Sequence, residues 1–220
     1  MKKIIFASAL MLAATTSSFG AVKAGKFGMD FSFAGSLGTW TTRSMNDGPG
    51  APNFGGMPTV GLRYHLTDMI AIAPSVGFYT ATTTDNTNNT IATQTKTTEV
   101  SRTAWGFGLE IPLYLVKLNA MDLYIAPGVG FAPTSATTKT TRVDGLTTEG
   151  KSTGSYISVF AALGLQVPIN DQFHVFGKTT VGWASGTTNP DTNSNPADVD
   201  DKSTYFGLQS WAVGAIFYFN

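Results

Sequence analysis

The chain contains no cysteine. That excludes a disulfide framework, a thiolate metal site, a cysteine nucleophile and a lipidated N-terminal cysteine. Charge is also scarce. Charged residues make up 13% of the chain, about half the share usual in a soluble domain. The formal net charge is zero, which gives nucleic acid no electrostatic footing. Only two histidines are present, His65 and His174. No stretch of about 18 consecutive apolar residues occurs, so the chain has no helical membrane anchor. What is abundant is glycine, with 24 residues, and phenylalanine, with 15.

The N-terminus reads as a targeting segment. Lys2 and Lys3 precede an apolar run from Ile4 to Ala14 that is too short to span a bilayer, and a small, polar stretch follows. Ser18 and Gly20 fit the small-x-small rule for cleavage. The expected signal peptide is therefore residues 1–20, with 1–24 as the alternative, and residues 21–220 form one domain. Loss of Lys2 and Lys3 leaves 12 basic against 14 acidic residues.

Beyond the leader, alternation dominates. Trp105, Phe107, Leu109, Ile111, Leu113 and Leu115 share one side of an extended chain, and Gly106, Gly108, Glu110, Pro112 and Tyr114 share the other. KLNAMD turns the chain, and Leu123, Ile125, Pro127, Val129 and Phe131 carry the apolar side back. This hairpin recurs about every 50 residues. GLEIPL (Gly108–Leu113) returns as GLQVPI (Gly164–Ile169) and more loosely as GLRYHL (Gly61–Leu66), and IAPSVGF (Ile72–Phe78) returns as IAPGVGF (Ile125–Phe131).

Taken in order, the chain holds eight such strands. Short turns (TDM, KLNAMD, IND) alternate with long polar segments, Arg43–Met57, Thr82–Ser101, Thr134–Thr153 and Thr187–Lys202. The predicted fold is all-β, an eight-stranded antiparallel up-and-down transmembrane β-barrel with short periplasmic turns and four long extracellular loops. A secreted β-sandwich would alternate too. It would not require the loop asymmetry or the two aromatic girdles expected here from Phe27, Tyr64, Phe173, Phe217 and Phe219 near the turns and Trp105, Trp183 and Tyr205 near the loops. Trp211 lies mid-strand, outside either girdle, and Pro74, Pro112, Pro127 and Pro168 are candidate bulge positions because each removes a ladder donor.

Eight alternating strands, the loop pattern and a closing strand, WAVGAIFYFN, resemble the small outer-membrane barrels of Gram-negative bacteria, such as OmpX, the OmpA membrane domain and OmpW. The resemblance covers the whole mature chain. It implies outer-membrane lipid as the surroundings and recognition of the last strand by the barrel-assembly machinery, here through Ala215, Phe217 and Phe219, although Asn220 follows the final aromatic. It also implies two roles: a structural and surface-interacting anchor with possible extracellular ligands on its loops, or a narrow solute channel of the OmpW kind.

Inside the predicted barrel stand Asp30, Arg63, Glu110, Gln166 and Lys178, all near the turn ends. A barrel of eight strands is filled by its own side chains, and buried charges there must pair. The expected pairs are Asp30–Arg63 and Glu110–Lys178, forming either a structural plug or a gate. An enzyme is not expected. Neither His65 nor His174 stands in the His-x-Ser arrangement of lipid-modifying barrels, and each reads as a solvated or hydrogen-bonded strand-end group. Asp191, Asn193 and Asn195 have the spacing of a calcium loop, but Pro196 and Lys202 occupy the positions of its glycine and its bidentate glutamate. No metal or cofactor is therefore assigned.

Overall fold

The computed structural model describes residues 23–35, 58–87, 91, 94–118, 120–191 and 201–219. The expected signal peptide, the Arg43–Met57 loop, the end of the first predicted strand beyond Gly35, and most of the acidic segment between Asp191 and Asp201 lie outside the described residues.

The strands are β1 (Phe27–Gly35), β2 (Pro58–His65), β3 (Ala71–Asn86), β4 (Thr95–Glu110), β5 (Leu113–Lys117), β6 (Asp122–Arg142), β7 (Thr147–Pro168), β8 (Phe173–Asp191) and β9 (Asp201–Phe219). Each pairs antiparallel with its neighbour, and β1 pairs with β9 from Phe27↔Phe219 to Gly35↔Trp211, which closes the barrel. Both β4 and β5 pair with β6. The pairing stops at Glu110↔Gly128 and resumes in step at Leu113↔Ile125. Between them the Ile111 N–H donates to the Pro127 carbonyl at 2.9 Å, and Pro112 has no N–H to give. These two segments are therefore one stave interrupted by proline, and the barrel has eight staves.

The prolines do not act as expected. The β2–β3 ladder omits the pairs facing Ala73 and Pro74, yet the register on either side is unshifted. Pro127 stands opposite Ala161 in an unbroken register. A missing donor deletes hydrogen bonds locally without adding a residue, so no bulge forms at either position. The register does shift between Tyr114 and Val116, between Thr95 and Thr97, and on β9 at Gln209, where Thr180 faces Ser210 while Val181 faces Leu208.

Two of the four predicted loops, Thr82–Ser101 and Thr134–Thr153, are mostly strand, and the described ends of the Thr187–Lys202 segment are strand as well. Pairing continues to Asn86↔Thr97, to Thr141↔Thr147 and to Thr188↔Asp201, so the connection after β6 shrinks to residues 143–146. The segments are threonine-rich, and a β-branched residue suits an extended, half-exposed backbone. Barrel staves below fix the register, so each added pair satisfies backbone groups without a new closure. Hydroxyls bridge neighbouring strands at Thr82–Ser101, 3.1 Å, and Thr141–Thr147, 3.3 Å.

The two faces are inverted relative to a soluble protein. Phe107, Leu109, Val129, Phe131, Ile157, Val159, Leu163 and Val213 are exposed on the outside, whereas Arg63, His65, Glu110, Gln166, His174 and Thr180 are buried inside. Aromatic side chains collect at both ends of the wall. Near the turns, Phe27 stacks on Phe219 with ring centroids 5.8 Å apart, Phe173 meets Phe217 at 4.8 Å, and Tyr64 stands opposite Phe27. Near the other end, Phe78 packs on Trp105 at 4.7 Å and Trp183 faces Phe206. The extra residue at Gln209 reverses the parity of β9, so Phe206 and Leu208 join the apolar face. The side chain of Tyr205, expected in the same girdle, lies outside the described residues. Trp211 stands on the outer face in regular alternation with Val213 and Phe217, below the reversal and away from either girdle.

Candidate functional site in the barrel lumen

Inward positions near the turns converge on Arg63. Its side chain is 0% exposed. One terminal nitrogen, Nη2, donates to Asp30 Oδ2 at 2.7 Å; the other, Nη1, donates to Gln166 Oε1 at 2.9 Å and to the Tyr114 hydroxyl at 3.2 Å. The Tyr114 hydroxyl also donates to Gln166 Oε1 at 2.9 Å. Gln166 Nε2 lies 2.7 Å from His174 Nδ1 and 3.4 Å from the Tyr218 hydroxyl, which is 3.0 Å from His65 Nε2. Six staves thus share one hydrogen-bonded layer. The guanidinium is also flanked by the rings of Tyr124 at 5.7 Å and Phe176 at 5.5 Å.

Alternation produces this layer. Every member has the inward parity of its strand, and Arg63 and Gln166 occupy equivalent places in the repeated hairpin. Small residues make room for the rings. A Cβ at Gly164 would collide with the Tyr124 ring, to which Gly164 is paired across β6 and β7. A charge as deeply buried as Arg63 is tolerable only when paired and hydrogen-bonded.

The second charged pair spans the lumen from β4 to β8, where Lys178 Nζ and Glu110 Oε1 are 2.5 Å apart. All five polar residues singled out from the sequence therefore meet in the lumen, four as the ion pairs Asp30–Arg63 and Glu110–Lys178, and Gln166 as the bridge to the histidines. Sequence reasoning did not assign the ring-bearing members, Tyr114, Tyr124, Tyr218, His65 and His174, to this layer. The two histidines are buried and hydrogen-bonded, the second of the two readings open for a strand-end histidine. Inward parity was the available signal for all five. Buried Asp122, the register partner of Lys117 on the β5–β6 ladder, was missed in the same way.

Beyond the Lys178–Glu110 pair the lumen opens into a cavity of about 100 Å³, bordered by Ser32, Thr59, Ser75, Ser158, Thr180, Gln209 and Ser210 and by Gly106, Gly108 and Gly130. Among the described residues no cluster of three or more His, Asp and Glu side chains is placed to hold a metal ion.

A closed antiparallel barrel with an apolar outer wall, aromatic ends and a polar lumen defines an integral outer-membrane β-barrel. Sequence comparison agrees: the family described as outer membrane protein beta-barrel domain matches residues 4–175. The chain belongs to that family. No curated protein sequence matches it. Solved structures of similar outline include CarO2 of Acinetobacter baumannii, at 11% identity over 90% of this chain and 100% of that one, TM-score 0.42. A major outer membrane protein from Thermus thermophilus follows at 11% identity, 89% and 100% coverage and TM-score 0.44. Ail, the attachment invasion locus protein of Yersinia pestis, is similar at 13% identity, 89% and 99% coverage and TM-score 0.35. Likeness at this level carries no argument about activity.

Proposed function

We propose that the protein is a plugged outer-membrane anchor that presents its threonine-rich strand extensions and loops to the cell's surroundings. The observation that carries this reading is the Arg63 layer. It joins side chains from six staves across the lumen by direct hydrogen bonds, and a lumen filled in this way leaves no continuous water path. Binding surfaces often ride on the exposed ends of a rigid scaffold, and the extensions above the girdles are such ends. Export through removal of residues 1–20, and recognition of Ala215, Phe217 and Phe219 during barrel assembly, complete the proposal. Catalysis has no part in it.

A narrow channel is the competing reading. It draws support from the cavity that reaches the Lys178–Glu110 pair, since ionisable residues within a membrane protein often mark a path. Single-channel recording on refolded protein in planar bilayers separates the two, with wild type compared to Glu110→Ala. The anchor predicts a silent wild type. Discrete wild-type openings that change with Glu110→Ala would replace it with a gated channel.

A further inference from the structure

The cavity beyond the Lys178–Glu110 pair is built differently from the plug. Where the plug is filled by rings, the cavity is emptied by glycine. Gly106 and Gly108 on β4 and Gly130 on β6 border it on adjoining staves. A Cβ at Gly108 would stand 2.8 Å from Ser75 Oγ, and one at Gly130 would stand 2.7 Å from Ser158 Oγ. Glycine at these places therefore leaves both hydroxyls their positions on the cavity wall.

Hydroxyls also line the facing wall. Ser32 and Thr59 bond to each other at 2.5 Å, and Thr180 bonds to Ser210 at 2.7 Å. The bulge on β9 adds a group that regular alternation would have turned away. Gln209 and Ser210 are consecutive, yet both border the cavity. The Gln209 Nε2 is buried and has no hydrogen-bond partner among the described residues. Bulges re-aim side chains in this manner, and an unpaired buried amide is costly unless something else accepts its hydrogen bond. Phe160 supplies an aromatic ring on the wall.

We propose that this cavity is a binding site for a small, neutral, polyhydroxylated solute. Its volume of about 100 Å³ is well above the ~10–15 Å³ that a single water needs on this measure. Lys178 and Glu110 neutralise each other on the wall, so a ligand with net charge would bring an unpaired charge into a low-dielectric lumen. Hydroxyl groups both donate and accept, and they match a wall of Ser and Thr hydroxyls with one free amide donor. The carbon skeleton of such a solute would lie against Phe160. This site is independent of whether the lumen conducts.

The test uses the full mature chain refolded in detergent micelles, ¹⁵N-labelled, with glycerol as probe and acetate and methylammonium as charged controls of similar size. Saturable shifts with glycerol at the Gly106, Gly108 and Gly130 amides and at the Gln209 side-chain amide are expected. Ser158→Val and Gln209→Leu should each weaken that binding at least tenfold. Two variants keep the test decisive if one fails to fold. Shifts that grow linearly with glycerol, equal saturation by the charged probes, or undiminished binding by both folded variants would each overturn the proposal.

Discussion

Arg63 shows what a single residue does in this barrel. Its guanidinium is fully buried, and its neighbours Asp30, Gln166 and Tyr114 all orient on it. Removing one partner of a buried pair leaves the other charged and unsatisfied, which costs about 3–5 kcal/mol, whereas replacing both partners with apolar groups of similar size can be nearly neutral. Arg63→Met should therefore lower the urea midpoint of the refolded protein sharply, by about 3–5 kcal/mol in stability. Asp30→Leu combined with Arg63→Met should recover most of that loss. A double variant as unstable as the single one would mean that Gln166 and Tyr114, not Asp30, hold the guanidinium.

At the scale of elements, the strands outrun the membrane. The β6–β7 pair is registered without a break from Asp122↔Gln166 to Thr141↔Thr147, and its outer portion is composed largely of threonine, serine, glycine and charged residues. Such residues have too little apolar surface to fold alone. They are ordered here because the barrel presents a ladder already in register. Cross-strand charges help, with Glu99 and Glu149 both opposite Lys139. Amide hydrogen exchange provides the check. The amides of β6 between Thr134 and Thr140 that bond across the ladder should be protected well above those of the 143–146 connection, with protection falling toward the tip as local opening becomes easier. Uniformly fast exchange throughout Thr134–Thr153 would restore the loop expected from composition.

The whole molecule is held by its two solvents, lipid outside and its own polar side chains within. Val159 on β7 is exposed on the outer wall, and Ser158, its neighbour in sequence, is buried in the lumen. A cation on the lipid face near the bilayer midplane costs about 2–4 kcal/mol. Val159→Arg should lose about that much in detergent-to-vesicle folding measurements, while Lys151→Arg, on an exposed position of the extension, should be silent. Equal effects at both positions would contradict the placement of the membrane along β7.

Much of this architecture was legible in the chain. Period-two alternation, repeated hairpins and turn spacing specify eight staves and their faces, because a one-residue shift would turn every apolar residue inward. Inward parity likewise placed Asp30, Arg63, Glu110, Gln166 and Lys178 in the lumen, and charge balance matched them in pairs. Three things needed the closed barrel. Threonine-rich segments became strand only because the staves beneath them fix the register. His65, His174, Tyr114, Tyr124 and Tyr218 joined one network only because closure brings β2, β5, β6, β7, β8 and β9 around a common axis. The bulge at Gln209 reversed the parity of β9, since one unpaired residue is invisible to a periodic pattern yet decides which side chains face the lipid and which border the cavity.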